Sequence, residues 1–147
     1  MHLKFNPDRE LKMYKFGTTR KYKFSGQPHY NYNSLTTFGS LVGKTLVGLI
    51  QDHDYIIFFT EDEVFYMYHN QNCCESVTIE SVVGDWNDVI DTEILTANES
   101  TDGGETDYGT YTWTFYTLRT IKGTVDLRWH GESNGYYSES VDFIKEN

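Results

Sequence analysis

The sequence predicts a mainly β protein: a single domain formed by a curved antiparallel sheet or a small sandwich of seven to nine strands, with one short helix. Composition supports this, because the 147 residues include a single alanine, Ala97, against 24 aromatic residues. Alanine is the best helix former, whereas aromatic and β-branched side chains fit a pleated surface. Short apolar runs separated by tight turns favour antiparallel pairing of consecutive strands.

Strands and loops alternate through the first half of the chain. They are predicted in the order 12–24 (one or two strands), 25–33 (polar loop), and 44–51, 54–60 and 63–69 (three strands). Residues 61–62 form the turn between the last two strands, which predicts a hairpin. Alternation along the strand places Val64, Tyr66 and Tyr68 on one face, and Phe65, Met67 and His69 on the other.

The second half is also β-rich. Its predicted elements are 76–83 (a strand or the approach to a helix), 84–90 (one or two helical turns capped by Asp85), 93–99 (a short strand), 100–108 (an exposed, mobile loop), 110–122 and 124–130 (two long strands joined at Gly123), and 136–144 (the last strand, after a hairpin turn at Asn134-Gly135). Tyr111, Trp113 and Phe115 alternate with threonines, which predicts that these aromatic residues face the core.

Charge is unevenly distributed along the chain. Residues 1–44 hold eight basic and two acidic residues, whereas residues 45–147 hold four basic and twenty acidic residues, which gives a net charge of −10. We therefore expect a basic, aromatic N-terminal arm or hairpin at residues 1–34 and an acidic β-rich domain at residues 35–147. Because the acidic domain repels phosphate, we do not expect it to bind nucleic acid. The basic arm is the candidate for such a contact.

Membrane and secretory signals are missing from the sequence. No apolar run approaches the roughly 18 residues that a membrane span needs, and no signal peptide opens the chain. We expect an intracellular protein without a membrane association.

The densest group of potential metal ligands is His69, Cys73, Cys74 and Glu75. A disulfide between adjacent cysteines is rare, so we expect two thiols or a metal contact. Thiolate and imidazole groups bind Zn²⁺, with a fourth ligand from His130 or His53. Two alternatives remain: local turn hydrogen bonds around a buried cysteine, and a reactive thiol with His69 as its base. No other cofactor is predicted.

Partner binding has a separate set of candidates. These are Arg128, Trp129, Tyr136, Tyr137, Asp102, Glu105 and Asp107. Trp, Tyr and Arg dominate the energetics of protein interfaces, although Arg128 can equally form a structural ion pair. The three carboxylates lie in a Gly-rich segment, where a solvated loop and a Ca²⁺ contact are the alternatives to a partner surface.

Two segments resemble a known family. Residues 73–77 (CCESV) and 133–138 (SNGYYS) are the most specific, and the similarity extends over about residues 37–144. The chain resembles an uncharacterised small domain family, of unknown function, from tailed phages and bacteria. The resemblance implies phage association, in the host cytoplasm or the virion, and no activity.

Enzymatic motifs are absent from the sequence: it has no phosphate-binding Gly loop, no G-x-S-x-G and no H-E-x-x-H. We therefore expect a non-enzymatic phage accessory protein that binds a host or defence protein through an acidic, aromatic-rich surface, for instance as an inhibitor. One alternative is a virion or assembly component that docks through its basic arm. The other is a metal- or thiol-dependent protein that uses the His69–Glu75 cluster.

Overall fold

Nine strands form two antiparallel sheets in the computed structural model, which describes residues 34–146 and the backbone of residues 12–14. The strands are β1 (Lys12–Tyr14), β2 (Gly48–Gln51), β3 (Tyr55–Phe59), β4 (Val64–Tyr68), β5 (Ser76–Val83), β6 (Thr96–Thr106), β7 (Gly109–Arg119), β8 (Thr124–Ser133) and β9 (Asp142–Lys145). The first sheet has the order β1-β2-β3-β4-β9 and the second has the order β5-β8-β7-β6. The prediction of a mainly β, antiparallel single domain is confirmed.

The first sheet is built around the β3–β4 hairpin, whose turn lies at the predicted position. Phe59 pairs with Val64, and Thr60 closes the turn by donating its N–H to Glu63 O at 2.9 Å. All residues of both strands are buried. The predicted alternation is confirmed: Phe65 and Met67 face the second sheet, whereas Val64, Tyr66 and Tyr68 belong to a buried cluster on the other face.

The core between the sheets is largely aromatic. Phe58 and Phe65 of the first sheet share it with Tyr116 and Trp129 of the second, and all four are at most 2% exposed. A 3₁₀ turn at Phe38–Leu41 adds Phe38, whose ring centroid lies 4.7 Å from that of Tyr116. Burial of side chains this large stabilises a fold by about 1.5–3 kcal/mol each, so the two sheets fold as one unit.

The predicted short helix is a 3₁₀ turn at Trp86–Val89. Asp85 caps it, as predicted, by accepting the N–H of Asn87 at 2.9 Å. Trp86 is 3% exposed, and its indole N–H donates to Gln51 Oε1 at 2.8 Å. The segment before this turn, residues 76–83, is strand β5 rather than an approach to a helix.

Residues 100–108 do not form the predicted loop. β6 runs through most of this segment and pairs with β7 without interruption from Thr96 to Thr106. β6 also includes residues 96–99 of the short strand predicted at 93–99. Gly104 allows the close pairing, because a Cβ atom there would lie 2.7 Å from Tyr111 Oη. Polar residues fit this strand because it is the exposed edge of the second sheet.

The predicted hairpin at Asn134-Gly135 and the long last strand after it are wrong. β8 ends at Ser133, and the chain then crosses to the first sheet, where β9 pairs with β4. Buried Glu139 anchors this crossing by accepting hydrogen bonds from the hydroxyl groups of Ser133, Thr110 and Thr112. A long-range polar network therefore overrides the local turn signal.

The predicted N-terminal arm lies largely outside the described residues, which include only β1 and Ser34 from it. β1 pairs with β2 at one edge of the first sheet. Within the described ranges, no helix has both the length and the apolar character needed to cross a membrane.

Candidate functional site: the outer face of the second sheet

The two rows of side chains on β7 lie opposite to the prediction. Thr114 and Tyr116 are both 2% exposed and face the core. Tyr111, Trp113 and Phe115 are half-buried and lie on the face turned away from the first sheet. The core-facing row carries three threonines and a single aromatic residue, Tyr116, whereas the outer row carries three aromatic residues. Alternation along the strand therefore favoured the wrong orientation, and packing of Tyr116 against Phe38 accounts for the observed one.

The pairing of β7 with β6 and β8 places charged and imidazole side chains beside this aromatic row. Directly opposed residues of antiparallel strands share a face, and Trp113 is opposed by His130 on β8 and by Asp102 on β6. The rings of Trp113 and His130 lie 4.3 Å apart. The Arg128 guanidinium lies 5.1 Å from the Trp113 ring, within the range of a cation–π interaction.

We call this surface the outer face. Its members are Tyr111, Trp113, Phe115, Arg119, Arg128 and His130, with the carboxylates of Glu80, Asp102, Asp126 and Glu132. A depression of about 400 Å³ lies on it beside Phe115, Thr117 and Arg128. The surface therefore combines aromatic side chains, a partly exposed guanidinium group and a concave site that can receive a side chain.

Acidic groups outnumber basic groups on the outer face. Four carboxylates stand against two arginines, and Arg128 already donates its Nε–H to Glu80 at 2.6 Å. This hydrogen bond lowers the pKa of Glu80, so the carboxylate is ionised at neutral pH. Asp102, Asp126 and Glu132 are exposed to solvent. The surface is consequently electronegative around its aromatic centre.

The predicted metal cluster is a hydrogen-bonded clamp between two loops. His69 lies 2.6 Å from Ser140 O through Nδ1 and 2.7 Å from Glu75 Oε2 through Nε2. Both imidazole nitrogens therefore lie within hydrogen-bond distance of an oxygen atom, and neither is free to bind a metal ion.

Glu75 is the anion of this clamp, and its side chain is fully buried. Burial alone would raise the pKa of Glu75. The hydrogen bonds from His69 and from the backbone N–H groups of Asn72 and Cys73 outweigh burial, however, and they lower the pKa to about 2. The carboxylate is thus saturated with donors from its own loop.

Cys73 and Cys74 are joined in a disulfide, contrary to the two thiols expected from the sequence. Both residues are exposed, so the alternative of a buried cysteine is wrong as well. In this state no thiolate is available to bind Zn²⁺ or to act as a nucleophile. The hydrogen-bond alternative fits the loop, because Cys73 donates its N–H to Glu75 Oε1 at 2.8 Å.

A different group with metal-ligand chemistry lies in the β2–β3 turn. Ligand atoms of Asp52, His53 and Asp54 all lie within 4.8 Å of one another. His53 Nδ1 lies 3.3 Å from Asp52 Oδ1, so a hydrogen bond holds these two side chains together. Asp52 and Asp54 flank His53 and are both partly buried, and contacts of each carboxylate with the imidazole account for the grouping without an ion.

The predicted partner-binding residues lie in several places. Trp129 is fully buried and is a core residue. Buried and exposed side chains alternate along β8, and Val125, Leu127 and Trp129 all face the first sheet. Arg128 and Asp102 lie together on the outer face. Tyr136 is 84% exposed and packs edge-on against Tyr137 in the crossing segment.

The remaining predicted carboxylates lie away from the outer face. Glu105 opposes Thr110, so it belongs to the other row of β6, and Asp107 lies in the β6–β7 turn. The sequence prediction placed Tyr111, Trp113 and Phe115 in the core, so it missed the aromatic row of the outer face. One signal was present: Arg128 and His130 share the polar row of β8, which marks the solvent side of that strand.

Comparison with known proteins identifies a family and no characterised relative. Residues 39–143 match the family described as a domain of unknown function, DUF7448. No curated protein and no solved structure matches the chain. The matched segment begins in the 3₁₀ turn at Phe38–Leu41 and ends in β9, so it contains the complete second sheet and the His69–Glu75 clamp. The chain therefore belongs to the DUF7448 family of uncharacterised domains, which confirms the expected membership of an uncharacterised domain family.

Proposed function

We propose that this chain is a non-enzymatic binding protein whose outer face docks a protein partner with a basic surface. The observation that carries the proposal is the orientation of β7, which turns Tyr111, Trp113 and Phe115 towards solvent. These side chains are not needed in the core, which has its own aromatic residues. Trp, Tyr and Arg are the residue types that contribute most to binding energy at protein interfaces.

Charge narrows the class of partner. The outer face is electronegative, and residues 45–147 carry sixteen more acidic than basic residues. A surface of this sign attracts a basic protein surface and repels nucleic acid. The phage association implied by the sequence resemblance makes a host or defence protein the first class of partner to search.

The two other functions have less support. Metal or thiol chemistry at His69, Cys73, Cys74 and Glu75 needs free ligand atoms, whereas the imidazole nitrogens are both hydrogen-bonded and the sulfurs are joined. Docking of a virion component through the basic arm depends on residues 1–34, nearly all of which lie outside the described ranges. Neither alternative explains why an aromatic row faces solvent.

Site-specific photo-crosslinking tests the proposed surface. A photoreactive phenylalanine analogue at position 115 keeps the size and aromatic character of Phe115 and leaves Trp113 and Arg128 in place. The full-length chain is expressed in cells that naturally encode it and is irradiated. We expect a discrete crosslinked product from position 115, which mass spectrometry then identifies.

The matched control places the same analogue at Ile121, which is 85% exposed in the β7–β8 turn. A second control combines Asp126→Lys and Glu132→Lys on the outer face, and we expect this double variant to weaken crosslinking at position 115. Equal products at positions 115 and 121, or a product that is insensitive to the charge reversal, would contradict the proposal.

A further inference from the structure

β6 forms a long open edge of the second sheet. Its eleven residues pair with β7 on one side, and within residues 12–14 and 34–146 no strand pairs with its other side. The side chains from Asn98 to Gly103 are all exposed. Over this exposed part, the outward N–H and C=O groups are not paired with any strand of the described ranges.

The geometry of this edge is suited to pairing with another strand. Proteins usually protect sheet edges with short strands, prolines, bulges or charged side chains, especially lysine. β6 contains neither proline nor lysine, and its register with β7 shows no shift from Thr96 to Thr106. An extended chain could form a regular ladder along the exposed part of the strand.

The charge of the edge selects the kind of chain that fits. β6 carries Glu99, Asp102 and Glu105 and has no basic residue. Pairing with β6 of a second copy would bring like charges together, which is unfavourable between paired strands. A segment with lysine or arginine is favoured instead.

We propose that a basic, extended segment of the protein partner adds to β6 as a fifth strand of the second sheet. This inference rests on the proposed function and specifies the docking mode, which is strand addition. The added strand would lie about 4.8 Å from β6. Its alternate side chains would lie beside Ser100 and Asp102, in line with Trp113 and His130 on the outer face.

Amide hydrogen exchange tests strand addition directly. The probe is a nine-residue peptide in which lysine and arginine alternate with threonine and valine, added to the full-length chain. Every second amide between residues 98 and 105 points to the open edge, so it exchanges rapidly in the free protein. We expect saturating peptide to slow these amides at least about tenfold and to leave exchange in β3 and β4 unchanged.

Two controls separate strand addition from simple charge attraction. A peptide of equal charge with two consecutive prolines at its centre lacks an N–H group on both of its edges there, so it cannot form a regular ladder and should not protect these amides. Asp102→Lys combined with Glu105→Lys should weaken binding about tenfold. The matched variant, Glu61→Lys with Glu93→Lys, makes the same change in net charge at exposed sites elsewhere and should bind like the unaltered chain.

Equal protection by the proline peptide, or no protection by either peptide, would overturn the inference. So would edge amides that are already protected in a concentration-dependent dimer, since a second copy would then occupy β6. Crosslinking at position 115 reads out the proposed function separately. If crosslinking persists without edge protection, outer-face binding stands and strand addition fails.

Discussion

His69 and Glu75 show how single atoms decide between a metal site and a structural clamp. The same pair of residues could ligate Zn²⁺ if one imidazole nitrogen were free. Here Glu75 holds its own loop through two backbone N–H groups, and His69 connects that loop to Ser140 just before β9. The clamp therefore stabilises the junction of the β4–β5 loop with the segment that precedes β9.

Replacing Glu75 by Gln should lower the free energy of unfolding at pH 7 by about 3 kcal/mol, since it removes a buried carboxylate that contacts His69 and accepts the N–H groups of Asn72 and Cys73. Urea denaturation measures the change. Glu105→Gln is the matched control, because Glu105 is exposed and should change stability by less than about 0.5 kcal/mol.

The contribution of Glu75 to the free energy of unfolding should decrease as the pH is lowered. The pKa of Glu75 is about 2 in the folded chain, against an ordinary value of 4.5. Its contribution is therefore fully present above pH 4.5 and is lost as the pH falls from 4.5 towards 2. The difference in unfolding free energy between the unaltered chain and Glu75→Gln should narrow over this range; a constant difference would contradict the assignment.

The two tryptophans at positions 113 and 129 should respond differently to truncation. Trp129→Ala should cost about 3–5 kcal/mol, because it opens a cavity in the core between the sheets. Trp113→Ala should cost about 1 kcal/mol, because it removes a half-buried ring and its contact with Arg128. Urea denaturation of both variants checks this, and a larger loss from Trp113→Ala would place its side chain in the core.

At the scale of elements, Gly84 permits the turn from β5 into the 3₁₀ turn at Trp86–Val89. It has φ 114°, and a Cβ atom there would collide with the backbone oxygen of Thr124. Gly84→Ala should therefore destabilise the fold by about 2–3 kcal/mol. Gly43→Ala is the matched control: its φ is also positive but no atom lies within 4 Å of the added Cβ, so the cost should be about 1 kcal/mol. Thermal unfolding compares the two variants, and equal losses would contradict the predicted collision.

Elements defined by local pattern were predictable, and elements defined by long-range pairing were not. The β3–β4 hairpin follows from alternation on both sides of Glu61-Asp62, which requires only neighbouring residues. β6 did not follow, because Gly103, Gly104 and their polar neighbours form a strand only when β7 supplies the ladder. The route of residues 134–141 depends on Glu139, whose partner Thr110 lies 29 positions away in the sequence.

At the scale of the whole molecule, the surplus of acidic residues should accelerate association with a basic partner. Once the crosslinked partner is known, the association rate constant should fall about tenfold between low and high salt, because ions screen the attraction. Rapid-mixing kinetics over a salt series measures the effect. The Asp126→Lys, Glu132→Lys double variant should show a shallower dependence, and a salt-independent rate would contradict electrostatic steering.

The β architecture, the surplus of acidic residues, the Asp85 cap and the proximity of His69 to Glu75 are predictable from the amino-acid sequence, because each depends on composition or on residues close along the chain. The orientation of β7, the position of Trp129 and the junction of the last strand with the first sheet emerge only in the folded chain. Those features depend on register between strands and on packing between sheets. A strand with aromatic residues on both faces, such as β7, is compatible with either orientation until its partners are in place.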